Sequence, residues 1–203
     1  KRPSKILRQE LSSSGVVFYW GIKKEFKELG VHNIFFTEDY KKEFKAIFDS
    51  KTLIDDPTIY VHISSKAEPS DAPKGCENWF VMVNAPINIG QDWAAMLEKL
   101  RENIINKLNR ALSVDIAPFI ETEYINDPVK LETVYNGKGG SIYGNSSNSA
   151  LAAFYRHPNH APTVKGMYFA GVTVHPGGGI PLALNGAKIV ERMVREDFIA
   201  KTN

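Results

Sequence analysis

Apolar and polar positions alternate with a period of two in several short stretches of this chain and with a period near 3.6 in others, so strands and helices can be placed before any chemistry is considered. Leu11 to Ile22, LSSSGVVFYWGI, is rich in β-branched and aromatic residues and predicts a strand. Asn33 to Thr37, Thr58 to Ser64, Asn78 to Asn84 and Ile116 to Tyr124 predict four more, separated by Pro, Asp, Gly and Lys clusters that mark turns. Glu38 to Ser50 reads as a helix with Tyr40, Phe44 and Ile47 or Phe48 on one face. From Gln91 to Leu112 the apolar residues Trp93, Met96, Leu97, Leu100, Ile104, Leu108 and Leu112 recur every three or four positions among Lys, Glu and Arg, the clearest helix in the chain. The expected architecture is α+β, a mixed sheet backed by helices across roughly residues 10 to 130. A composition change after Asp127-Pro128 leads into Asn136 to Ser149, NGKGGSIYGNSSNS, which reads as a boundary or a functional loop. A division into residues 1–134 and 135–203 is therefore expected.

The last stretch carries the strongest chemical signal. Met167, Tyr168, Phe169 and Ala170 form a short apolar run ended by Gly171, the pattern of a strand buried on both faces. His175, Pro176, Gly177, Gly178 and Gly179 follow, then Ile180 and Pro181, where proline suits a first helical turn. Leu184, Ala187, Ile189, Val190, Met193 and Val194 continue with near-helical spacing. Successive glycines let another molecule approach the backbone, and the positive helix end favours an anion or a ring that gains negative charge. On this reading a valine at Gly178 should block such an approach.

Composition narrows the rest. The 203 residues are 43% hydrophobic and 24% charged, enough for a sizeable core. A net charge of +2 without basic runs interleaved with aromatics excludes a nucleic-acid groove. Residues 1–51 hold eleven Lys or Arg against seven Asp or Glu, led by Lys1, Arg2, Lys5 and Arg8, an excess that could favour an anionic membrane surface or simply be solvated. One cysteine, Cys76, precludes an internal disulfide and points to a reducing, cytoplasmic setting. His157 and His160 have no cysteine or carboxylate cluster beside them, so no metal site is expected. No G-x-S-x-G elbow occurs among Ser141, Ser146, Ser147 and Ser149.

His175-Pro176-Gly177-Gly178-Gly179-Ile180-Pro181, preceded by Tyr168-Phe169-Ala170-Gly171, resembles the C-terminal signature of bacterial-type phytoene desaturases, flavoproteins acting on carotenoids. His32 to Tyr40 and Asp55 to Val61 are similar to the middle part of that family, and order and spacing match from about Leu11 to Phe198. The resemblance implies an FAD-dependent desaturase of an isoprenoid polyene, peripherally associated with a membrane. Its cofactor contacts would fall at Gly171, His175, Pro176, Gly177, Gly178, Gly179, Ile180 and Pro181, in a segment completing a Rossmann-like FAD domain. A long apolar substrate would be lined by Phe18, Trp20, Phe35, Phe80 and Met82. No GxGxxG for the FAD pyrophosphate occurs, and Lys1 follows no initiating methionine, so a portion of a longer chain is expected. A carotenoid isomerase, a retinol-saturase-like enzyme and a non-catalytic apolar-ligand or membrane-binding module are the alternatives.

Overall fold

The computed structural model describes residues 8–146 and 156–202, so Lys1, Arg2, Lys5, Ser147 and Ser149 lie outside the described residues. The chain forms two compact units, Ser13–Ile142 on the one hand and Lys1–Ser12 with Tyr143–Asn203 on the other.

In the first unit, five strands form one sheet in the order β2-β3-β4-β1-β5. They are β1 (Ser14–Ile22), β2 (His32–Phe35), β3 (Ile59–Ile63), β4 (Glu77–Ala85) and β5 (Ile120–Asn126). The α+β class is that read from the sequence, and all four pairings within the sheet are antiparallel. Helix α1 (Tyr40–Lys45) begins at Asp39, whose carboxylate accepts the Lys42 N–H, and runs on into a wider π-type turn over Ala46–Ser50. Helix α2 (Trp93–Leu112) is capped by Asp92 and ends at Ser113 in the left-handed region. Pro118 keeps Ala117–Phe119 in a short 3₁₀ turn, so β5 starts later than its apolar pattern predicts. Helix α3 (Pro128–Thr133) follows β5.

Strict alternation decides which face is covered. On β4 each odd-numbered residue from Glu77 to Ala85 is buried and each even one is half-buried. Val16, Phe18, Trp20, Ile22, Ile59, Val61, Ile63, Trp79, Val81 and Val83 form one apolar cluster with Leu100, Ile104, Ile105 and Leu108 of α2. Each such side chain contributes roughly 1.5–3 kcal/mol by leaving water. Glu77 is buried in this layer with its oxygens engaged by the Phe26 N–H, the Trp79 indole N–H and the Lys66 ammonium. The other face of the sheet is largely uncovered, with Tyr19, Ile34 and Tyr124 exposed there and the Lys130 ammonium of α3 4.4 Å over the Tyr124 ring.

Lys107 ties α2 to the strap before β3. Its ammonium donates to the Phe36 and Pro57 carbonyls and pairs with Asp56 at 2.7 Å. Burial pushes the Asp56 carboxyl up, but its hydrogen bonds to Lys107 and the Glu38 N–H outweigh this, and the net shift is downward. A depressed folded-state pKa stabilises above the unfolded carboxylate range, and the gain is lost as pH falls through the folded value. Acid titration of the unfolding midpoint should therefore show stability falling below about pH 4, and Asp56→Asn should flatten that limb. An unaltered acid limb in the variant would count against the assignment.

The glycines near residue 140 belong to this unit's packing. Gly140 has φ +68°, and a Cβ there would lie 2.2 Å from the Pro128 carbonyl oxygen. Its own carbonyl accepts the Ser14 hydroxyl at 2.5 Å, and Gly139 links to Asn88 and Glu132. This buried turn accounts structurally for the glycines at 139 and 140 within the segment read as a boundary or a functional loop. The division between the compact units falls within that same segment, between Ile142 and Tyr143.

In the second unit, helix α4 (Ile180–Thr202) starts where Pro181 predicts. Met167 to Ala170 does not form the buried strand that its composition implies. Met167 and Ala170 are exposed, and the segment holds a single bridge, between Tyr168 and His160. A strand buried on both faces needs a neighbour on each side, and this segment is paired along one edge by residues 159–161. The apolar stripe of α4 is likewise uncovered at Leu184 and Val194.

Candidate functional site

Two places carry the residues singled out by the sequence, one in each unit. In the second unit the loop from Gly171 to Gly179 is held by side chains that composition did not reveal. Asn159 is 3% exposed, and its amide donates to the Phe169 carbonyl at 3.0 Å and the His175 carbonyl at 2.8 Å. The Phe169 N–H returns a bond to the Asn159 carbonyl, and the His175 N–H bonds to the His157 carbonyl. One asparagine thus fastens both ends of the segment leading into the loop. Arg156 donates to the Val172 carbonyl at 2.9 Å and fills the space beside Gly177. Gly186, on the first turns of α4, faces this segment, and a Cβ there would lie 3.3 Å from the His175 carbonyl oxygen and the Pro176 Cδ.

The three glycines differ in what faces them. A Cβ on Gly178 would lie 2.2 Å from the Tyr143 ring, and one on Gly177 would lie 2.9 Å from the Arg156 Nε. Gly179 has φ +99° and open space where a Cβ would stand, as does Gly171. Valine at 178 would therefore strike Tyr143, and its effect would report packing of this unit rather than blocked approach of a ligand. Ile180 and Pro181 are exposed at the helix start, where first-turn N–H groups have no intrahelical partner. The His175 side chain is exposed and Pro176 half-buried. Bare backbone at Gly179, next to the positive helix end, fits the edge of a flavin ring, and Gly171 has open space too, while Gly177 and Gly178 face protein. Asn159→Leu should remove two buried hydrogen bonds, costing about 2–3 kcal/mol, and loosen the loop. Hydrogen exchange at Phe169 and His175 would rise severalfold, and unchanged exchange would refute the staple.

In the first unit, the five predicted substrate-lining residues divide between the two faces of the sheet. Phe18 and Trp20 are 0% and 2% exposed beneath α2, and Phe35 packs partly buried against the same cluster. Phe80 and Met82 lie on the uncovered face. There they are joined by side chains the sequence did not single out. The register places His32, His62, Phe80, Tyr19 and Tyr124 opposite one another, one ring from each strand in sheet order. A row crossing five strands spans roughly 19 Å at the usual strand spacing. Tyr19 and Phe80 meet edge to face at 5.5 Å, and Tyr19 and Tyr124 are 6.0 Å apart. The next row on the same face runs Ile34, Tyr60, Met82, Val17 and Asn126.

Beside the aromatic row lies a groove of 490 Å³ lined by Tyr19, Gly21, His62, Asn78, Phe80 and Tyr124 among others. Its floor includes Gly21, opposite Asn78 and Thr122 in register, so no side chain rises there from β1. Burial, followed by the neighbouring Tyr135 and Tyr124, holds the Tyr19 phenol above its usual range, and it stays a neutral hydroxyl. The face can hold an elongated apolar molecule flat against rings, with the Lys130 ammonium over Tyr124 as a charge at its β5 end. Among the described residues no group of three metal-ligating side chains converges.

No protein-family model matches the chain. Similar curated proteins cover it almost completely. A 1-hydroxycarotenoid 3,4-desaturase of Flavobacterium sp. is 50% identical over all 203 residues, which correspond to 41% of that relative. A phytoene desaturase of Neurospora crassa is 32% identical over 99% of the chain and 35% of its own length. A 4,4'-diapolycopene oxygenase of Methylomonas sp. is 32% identical over 95% of the chain and 39% of its own length. The chain thus spans about two fifths of the length of the relatives it matches, and over its own length it belongs to the carotenoid desaturase family.

Proposed function

We propose that the chain is the C-terminal portion of an FAD-dependent carotenoid desaturase, and that the uncovered face of its sheet is the bed on which the polyene lies. The in-register aromatic row across all five strands carries this reading. A hydrocarbon offers a protein only area and shape, and a flat run of rings supplies both without polar groups left unpaired. The Flavobacterium relative is named for a 1-hydroxycarotenoid, so an acyclic polyene with one hydroxylated end is the substrate class proposed here. When bound, FAD would accept the two electrons released as two hydrogens leave adjacent carbons and a C–C bond becomes C=C. Gly171, Gly179 and the α4 start would hold the flavin edge, with His175, Pro176, Ile180 and Pro181 around it, and the helix end would favour negative charge there. The sheet's own share is to keep the chain straight, exclude water and present its carbons.

Purified complete protein should contain flavin and convert a hydroxylated acyclic carotenoid to a product lighter by two hydrogens. A product of unchanged mass would indicate isomerisation and overturn the desaturase reading. Contact with an anionic membrane surface from the cytoplasmic side is part of the proposal, because the substrate is insoluble in water. No helix among the described residues is long and apolar enough to cross a bilayer. Flotation with anionic liposomes tests that contact, and recovery entirely in the soluble fraction would remove it.

A further inference from the structure

The aromatic row is not uniform, and its β2–β3 end is chemically distinct. Phe80 in the middle offers only a ring, whereas His32 and His62 end the row with imidazoles. The His32 Nδ1 is 2.8 Å from the Tyr60 hydroxyl, which fixes the His32 ring. His62 stacks on His32 at 5.0 Å with the ring planes 25° apart, and Tyr60 lies 6.5 Å away on its other neighbour position. His62 is half-buried and lines the groove at its β3 end, while Thr122, Glu123 and Tyr124 line the β5 end.

Two other polar groups of the groove are engaged, Asn78 and Glu123, while the hydroxyls of Tyr19, Thr122 and Tyr124 lie toward its β1 and β5 side. The Asn78 side chain bonds to Ser64 and to the Ser65 N–H. The Glu123 carboxylate accepts from the Trp20 indole at 2.6 Å and from Arg101 at 2.7 Å. The His62 imidazole makes no hydrogen bond among the described residues, although the ring is held in place by stacking. A half-buried imidazole set at the end of an apolar groove, immobilised but unpartnered, is poised to bond a ligand atom.

We propose that His62, held by His32 and Tyr60, reads a hydroxyl on the end of the polyene and sets which end of the substrate lies over β3. This rests on the uncovered face being the polyene bed. A hydroxyl can donate to one imidazole nitrogen or accept from the other, so either tautomer serves. A hydrocarbon end placed there would leave the nitrogen facing carbon, and the site would disfavour it. Since His62 is only half-buried, the discrimination is modest, about tenfold, corresponding to one hydrogen bond.

The test compares lycopene with its 1-hydroxy derivative in the complete protein, by kcat/KM and by polyene quenching of tryptophan fluorescence. Wild type should favour the hydroxylated ligand by about tenfold. His62→Phe keeps a stacking ring but should bring the preference close to one by weakening only the hydroxylated ligand, and His62→Gln should restore part of it. Wild type without preference, or His62→Phe weakening both ligands equally, would overturn the proposal. So would a preference removed by Thr122→Val and not by His62→Phe, because the hydroxyl would then lie at the β5 end. Phe80→Ala separates the two levels of the reading. It should weaken both ligands alike, and if it weakens neither, the polyene bed itself is wrong and the hydroxyl assignment falls with it.

Discussion

Phe80→Asp in the complete protein should lower polyene affinity about a hundredfold or more while leaving the fold intact. Phe80 stands in the middle of the aromatic row, between His62 of β3 and Tyr19 of β1. Its ring meets Tyr19 at 5.5 Å and Tyr60 at 6.2 Å, so the substitution removes two ring contacts and puts a carboxylate beneath the bound chain. Covering that charge with hydrocarbon costs about 3 kcal/mol or more, the equivalent of two decades in affinity. The fold should survive because Phe80 points away from the apolar layer that Trp79 and Val81 join. Val81→Asp is the contrast, since Val81 is 0% exposed and its replacement should unfold the unit. Circular dichroism and fluorescence quenching on the two variants check both statements. Undiminished polyene binding by Phe80→Asp would remove the bed from this face.

The second large effect concerns stability and lies away from any ligand. Gly140→Ala should destabilise the first unit by about 3–5 kcal/mol, from left-handed backbone strain and overpacking together. The strain follows from φ +68°, and the overpacking from the Pro128 carbonyl oxygen 2.2 Å from the new methyl, with the Pro128 Cα at 2.8 Å. Those atoms are backbone, so no rotamer change can relieve the clash. Gly90→Ala is a useful comparison, having φ +93° but open space around it. It should cost only the conformational part, about 1–2 kcal/mol. Denaturant midpoints for the pair would separate strain from crowding, and equal losses would refute the close approach to Pro128.

These two cases also mark where sequence reading succeeds and stops. Alternation in Glu77 to Ala85 and the three- and four-residue spacing in Trp93 to Leu112 are written directly in residue type, so β4 and α2 lie close to their predicted places. Alternation says that a strand has two faces, but not which face of one strand joins which face of the next. Antiparallel pairing sets Phe18 opposite Val81 and Tyr19 opposite Phe80, so Phe18 and Phe80 are on different sides. Both faces are rich in aromatics, and composition alone therefore combines Phe18, Trp20 and Phe35 with Phe80 and Met82. His32, Tyr60, His62 and Tyr124 become a set only through register. The same limit holds for the loop. Three glycines in a row announce close approach, yet whether the visitor is a cofactor or the protein's own Tyr143 and Arg156 depends on tertiary placement. Asn159 leaves no pattern at all, because its partners are the Phe169 and His175 backbone carbonyls.

The most direct test is photo-crosslinking of the complete protein with a polyene carrying a diazirine, followed by mass-spectrometric mapping of the adducts. Labels on Tyr19, Tyr60, Phe80, Met82 and Tyr124, competed away by unlabelled hydroxycarotenoid, are the result expected if the uncovered face is the polyene bed. Competed labelling confined to residues outside that face would contradict it.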